Sequence, residues 1–116
     1  MTDIVVHYRR QFSCNVAHSL TGDPRSKTVR DHGHQMIVIV DSGSDEHWAK
    51  IQRWLDEYVD YQQLAAAFAF TTFPAAIARY LHTVFAQFDP ALIAVDVDMD
   101  ACGRAVATAA RDVAQD

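Results

Sequence analysis

Asp31-His32-Gly33-His34-Gln35-Met36-Ile37-Val38-Ile39-Val40 is the stretch that decides how this chain reads. A run rich in Ile and Val follows two histidines that stand one residue apart, and such runs read as β-strand. In an extended strand, residues i and i+2 belong to the same face, so His32 and His34 form one pair of imidazole positions. Gly33 between them has no Cβ and permits close backbone approach. A third histidine, His18, lies upstream at the end of another strand-like segment. If those two strands pair, three histidines converge at one end of the pair.

Working outward, Ile4 to Ala17 carries Ile4-Val5-Val6, Tyr8, Phe12 and Val16 among polar residues, with no Pro or Gly. It reads as a long strand, with a bulge as one reading of the slip in alternation near Arg9-Arg10-Gln11. Ser19 to Asp31 is loop-like, with a turn signal at Gly22-Asp23-Pro24. Gln35 to Val40 makes the second strand, closed by Asp41-Ser42-Gly43-Ser44. The period then changes. Trp48, Ile51, Leu55 and Tyr58 recur at three and four, which predicts an amphipathic helix with Ser44 or Asp45 as its cap. Val59-Asp60-Tyr61 is a break signal, with Asp60 capping a second helical piece through Phe68. Periodicity alone leaves one helix or two open over 45–70.

Thr72 and Pro74 then read as the start of a helix carried by Ile77, Leu81, Val84, Phe85 and Phe88 and ended by Asp89-Pro90. Leu92 to Met99 alternates, with Ile93, Val95, Val97 and Met99 on one face and Ala94, Asp96 and Asp98 on the other. Cys102-Gly103 is a turn, Arg104 to Thr108 a last strand, and residues 109–116 an unassigned Ala-rich tail. The order is β-β-α-α-β-β, an α+β fold in a single domain spanning 1–116.

Half of the 116 residues are apolar, 22% are charged, and only four are glycine, the profile of an ordinary globular chain. A net charge of −5 argues against a nucleic-acid partner. Arg9, Arg10, Arg25, Lys27 and Arg30 make the first third locally basic, which suits either a phosphorylated small molecule or a solvated face. Cys14 and Cys102 are too few for a disulfide framework. The start lacks a signal-peptide pattern, and no apolar stretch reaches the ~18 residues of a membrane span. The expectation is a cytoplasmic protein with no membrane contact.

Three neutral imidazoles without thiolate or carboxylate form a Zn²⁺ shell with one position left open, the arrangement of a catalytic site. Zn²⁺ is therefore the expected cofactor, held by His18, His32 and His34. A bare His-x-His pair reads first as solvent-facing strand decoration; adding His18 at the end of the neighbouring strand changes the balance. His7, His47 and His82 lack such spacing and read as structural or surface residues.

Ala17-His18-Ser19-Leu20 followed by His32-Gly33-His34 resembles the 6-pyruvoyl-tetrahydropterin synthase / 6-carboxytetrahydropterin synthase family. The similarity extends through Glu57-Tyr58-Val59-Asp60-Tyr61-Gln62-Gln63-Leu64-Ala65-Ala66-Ala67-Phe68 to the helix over 75–88 and the strand over 94–98. The resemblance implies the tunnelling fold: a four-stranded antiparallel sheet with two helices on one face. It also implies a homo-oligomer in which three sheets close into a barrel and two trimers stack into a hexamer. In the family, zinc holds the side-chain hydroxyls of dihydroneopterin triphosphate, a cysteine thiolate moves protons with an Asp-His pair, and a glutamate grips the pterin. The bacterial branch leads to queuosine.

The chain departs from that pattern at three places. The family cysteine stands four to six residues before His-Gly-His; here Ser26, Lys27 and Thr28 stand there, which makes Thr28 the positional candidate for a catalytic group. A hydroxyl is a far weaker acid than a thiol and needs strong activation to move protons. Cys14 reads as a small buried hydrophobe. The Asp-His segment between the helices is missing, and Phe68-Ala69-Phe70-Thr71-Thr72 joins them. Met99 stands where the pterin-binding glutamate belongs, leaving Asp98 and Asp100 as acidic substrate-binding candidates. The expected function is a zinc-dependent lyase of the tetrahydropterin synthase kind. The alternative is a non-catalytic homo-oligomer that binds zinc and a pterin or purine. A zinc hydrolase is a weaker third reading, because no carboxylate is well placed as its base.

Overall fold

The structure, a computed structural model, describes residues 3–18, 32–60, 62–63, 74–99 and 103–109, with 17–18, 32–34 and 62–63 described by their backbone. Strands β1 (Tyr8–His18) and β2 (His32–Ser42) are followed by helix α1 (Trp48–Tyr58) and a two-residue strand β3 (Gln62–Gln63). Helix α2 (Pro74–Ala86) leads to strands β4 (Leu92–Asp98) and β5 (Arg104–Thr108). The sheet order is β3-β1-β2-β4-β5. The expected β-β-α-α-β-β order and four-stranded antiparallel sheet are both present, and β3 adds a short parallel strand at one edge.

β1 and β2 pair along their full length, from Tyr8↔Ser42 to His18↔His32, without a register shift. The bulge considered near Arg9-Arg10-Gln11 is therefore absent, because Phe12, Cys14 and Val16 keep strict alternation toward the core. β1 also starts later than the apolar residues at 4–6 suggest. Ser42 is the last residue of β2 and pairs with Tyr8, so residues 3–7 meet no partner on that strand, and Ile4 is 88% exposed.

One face of the sheet carries Phe12, Cys14, Val16, Met36, Val38, Val40, Val95, Val97 and Met99, all buried. Ile51 and Leu55 of α1 and Ile77, Ala78, Leu81 and Phe85 of α2 close over it to form one core. These helical residues fall at the spacing that lines one helix face. Trp54 links the helices, its ring edge-on to Phe85 at 5.8 Å between centroids. Ile93 is the exception to the expected inward set, at 40% exposed. The β2–β4 register shifts between Asp41 and Ser42, so Ile93 lies beside an irregularity that breaks the alternation.

Helix ends depart from the sequence reading in instructive ways. The residue at the start of α1 is His47, with no side-chain cap; Ser44 instead accepts the Glu46 N–H at 3.2 Å within the preceding turn. α1 ends at Tyr58. Asp60 does not cap a helix: its Oδ1 accepts the Asn15 N–H at 2.7 Å, and Gln62–Gln63 then pair with Val16 and Ala17. A carboxylate accepts from whatever N–H is presented, and β1's open edge presents one. Pro74 opens α2 as expected, its fixed φ suiting a first helical position. Thr72 lies outside the described residues. Beyond α2, buried Asp89 accepts from Ser42 Oγ at 2.7 Å and from the Ala91 N–H at 3.0 Å, tying the loop into β4 to the end of β2. Gly103 has φ +109, a left-handed conformation open to glycine, and turns β4 into β5.

Candidate metal centre

The β1–β2 register sets the site. His18 stands directly opposite His32, and Val16 opposite His34. Directly opposed positions in an antiparallel ladder lie about 4.5–5.5 Å apart between Cα atoms, and positions i and i+2 lie about 7 Å along the strand. The three histidine positions thus form a compact triangle at one end of the sheet. They belong to the same alternating set as Cys14, Val16, Met36 and Val38, and they continue that set past the last buried core residues. Three imidazoles are a donor set that suits Zn²⁺, and the register brings their backbone positions together. Among the residues described with side chains, no group of three His, Cys, Asp or Glu is placed to hold a metal. The edge of β1 beside this end is covered by β3 and by the Asp60–Asn15 hydrogen bond.

Of the other candidates, Thr28 and Asp100 lie outside the described residues, as do Ser26, Lys27 and Cys102. Asp98 ends β4 between Ile37 and Arg104, in the outer alternating set of the sheet, whereas the histidine positions belong to the core set. Met99 is fully buried, and its N–H donates to the Gly103 carbonyl at 2.9 Å. The position where the resemblance implies a glutamate is thus a core position in this chain. Cys14 is also sealed in: burial first, then the negative charges of Asp60 and Asp56, pushes its thiol from 9.0 up to about 12. Such a thiol is not a nucleophile or proton carrier near neutral pH.

His7 is exposed, His47 opens α1, and His82 sits on α2. The outer face of the sheet carries two arginine–carboxylate pairs, Arg9–Asp41 and Arg104–Asp96, each closing to 2.6 Å. Among the described residues, no helix is long and apolar enough to cross a membrane.

With the geometry in place, comparison with solved structures is informative. The 6-pyruvoyl tetrahydropterin synthase of Caenorhabditis elegans superposes with a TM-score of 0.69, covering 90% of this chain and 96% of the nematode chain at 16% identity. An uncharacterized protein of Wolinella succinogenes superposes with a TM-score of 0.70, covering 91% of this chain and 99% of its own at 15% identity. The chain has the tetrahydropterin synthase fold. No family model matches it, and no curated protein sequence matches it. At these identities the likeness is one of backbone architecture. Near-complete coverage in both directions makes the tetrahydropterin synthase fold a description of the whole sheet and its helices.

Proposed function

We propose that the protein is a zinc-dependent member of the 6-pyruvoyl/6-carboxytetrahydropterin synthase group that acts on a pterin such as dihydroneopterin triphosphate. The observation that carries this reading is the register His18↔His32 with His34 in the same alternating set, inside a tetrahydropterin synthase fold. His18, His32 and His34 would hold the metal. Zinc bound there would supply a Lewis acid that polarises a carbonyl oxygen and acidifies a hydroxyl. The apolar core residues Val16 and Met36, next in the same alternating set, back the histidine end of the sheet. Asp100 is the acidic group proposed for the pterin ring's N–H donors, and Thr28 stands at the sequence position of the family's proton-moving cysteine; Asp98, in the outer alternating set, belongs to the face opposite the histidine positions. A cytoplasmic homo-oligomer built on a trimer is part of the same proposal. The half-buried Ile37 and Ile39 and the exposed Val106 on the sheet's outer face support the association, not the location.

A second reading has its own supports: buried Met99 and the sealed thiol of Cys14. In that reading the protein binds zinc and a pterin or purine without turning it over. Incubation of the zinc-loaded protein with dihydroneopterin triphosphate separates the two. Release of inorganic triphosphate above the His32→Ala background supports the enzyme, and saturable binding without release supports the binding protein. Neither binding nor release would defeat both.

A further inference from the structure

A groove of about 330 Å³ lies between α2 and β5, with β4 separating β5 from β2 and its histidine positions. Arg79, His82 and Thr83 of α2 line one side, Thr108 lines the other, and Ala105 and Ala107 are also part of the lining. No carboxylate lines it among the described residues. Two facts single it out. Arg79 has no ion pair among the described residues, whereas Arg9 and Arg104 are each closed onto an aspartate. Nε2 of His82 is shut off from solvent with no hydrogen-bond partner in the described structure, an expensive state for a polar atom.

We propose that the α2–β5 groove binds a compact molecule through an oxyanion, a phosphate or carboxylate, gripped by Arg79 and completed by His82. The planar guanidinium presents paired N–H donors that match two oxygens of either group. The His82 ring turns toward such an oxygen without giving up any hydrogen bond at Nε2. The Thr83 hydroxyl donates to the Arg79 carbonyl at 3.0 Å, so its proton is committed and the oxyanion is left to Arg79 and His82. The small side chains of Ala105 and Ala107 leave room for the body of the molecule. The volume lies at the small end of ligand pockets, which fits a metabolite rather than a peptide. This site is independent of the zinc reading, since it shares no residue with the three histidines.

The test is a titration of the isotopically labelled full chain with inorganic phosphate, and separately with acetate, at constant ionic strength. Backbone amide shifts are followed by NMR. Saturable shifts over 79–83 and 105–108 are expected, with Arg79→Met weakening binding about tenfold or more. Arg79 is exposed, so its replacement leaves the fold intact, and unchanged shifts elsewhere verify this. His32→Ala leaves the titration as it was, which keeps the fate of this site separate from that of the metal centre. Tighter binding of phosphate assigns a phosphorylated ligand, and tighter binding of acetate assigns a carboxylate. Shifts that fail to saturate, or that persist at full affinity in Arg79→Met, would overturn the proposal.

Discussion

At the scale of single residues, Cys14 shows how burial decides chemistry. Its thiol sits on the core face of β1, and desolvation with the nearby Asp60 and Asp56 raises it to about 12. Iodoacetamide at pH 8 therefore leaves Cys14 unmodified in the folded chain and labels it after unfolding in urea, as peptide mapping reports. Linkage gives a second expectation. A thiol raised by folding adds stability that is fully present below its ordinary value of 9.0 and is lost as pH climbs toward about 12, because the unfolded chain releases the proton first. Cys14→Ala removes that part of the pH slope between 9 and 12, measured by urea unfolding. That Cys14 is a small buried hydrophobe was legible from its place in an alternating strand. The role of Asp60 was not, since aspartate accepts from helix and strand-edge N–H groups alike and a sequence does not say which is near. His82 and Arg79 were equally silent: their spacing of three on α2 is ordinary, and only β5 folding back beside them makes a groove.

At the scale of elements, the node formed by Ser42, Asp89, Ala91 and Ser44 joins the end of β2 to the loop between α2 and β4. Ser42 Oγ donates to buried Asp89 and also accepts the Ser44 N–H at 3.1 Å. Ser42→Ala leaves a buried carboxylate oxygen short of its donor and lowers unfolding free energy by about 1–3 kcal/mol, read from urea denaturation. A control substitution at exposed Gln11 changes stability by less than about 0.5 kcal/mol. The long strands and α2 were visible in the sequence because their apolar residues repeat at two or at three and four over many positions. Gln62–Gln63 was invisible because two polar residues carry no period, and their strand geometry comes wholly from the edge of β1 beside them. Ile4-Val5-Val6 misled for the opposite reason. A β-branched run favours extension, but a strand also needs a partner, and β2 ends opposite Tyr8.

At the scale of the whole molecule, the sheet has helices on one face, while the other shows Ile37, Ile39 and Val106 between two arginine–aspartate pairs. Closing three such sheets edge to edge into a barrel turns that face inward, and this is the assembly the proposed function needs. Light scattering on the purified protein then reports three or six times the 13.0 kDa chain mass, and a monomer at micromolar concentration would contradict it. The convergence of the three histidines was readable from spacing as soon as β1 and β2 were assumed to pair, and the register His18↔His32 bears the pairing out. The catalytic surroundings were not readable to the same degree, because the sequence around Thr28 and Asp100 carries no hydrophobic period. The central claim is the zinc centre itself. Elemental analysis of the purified wild type and of His18→Ala tests it most directly. The account predicts about one zinc per chain in the wild type and near-complete loss in the variant. Less than about one-third of an equivalent in the wild type, unchanged in His18→Ala, would contradict it.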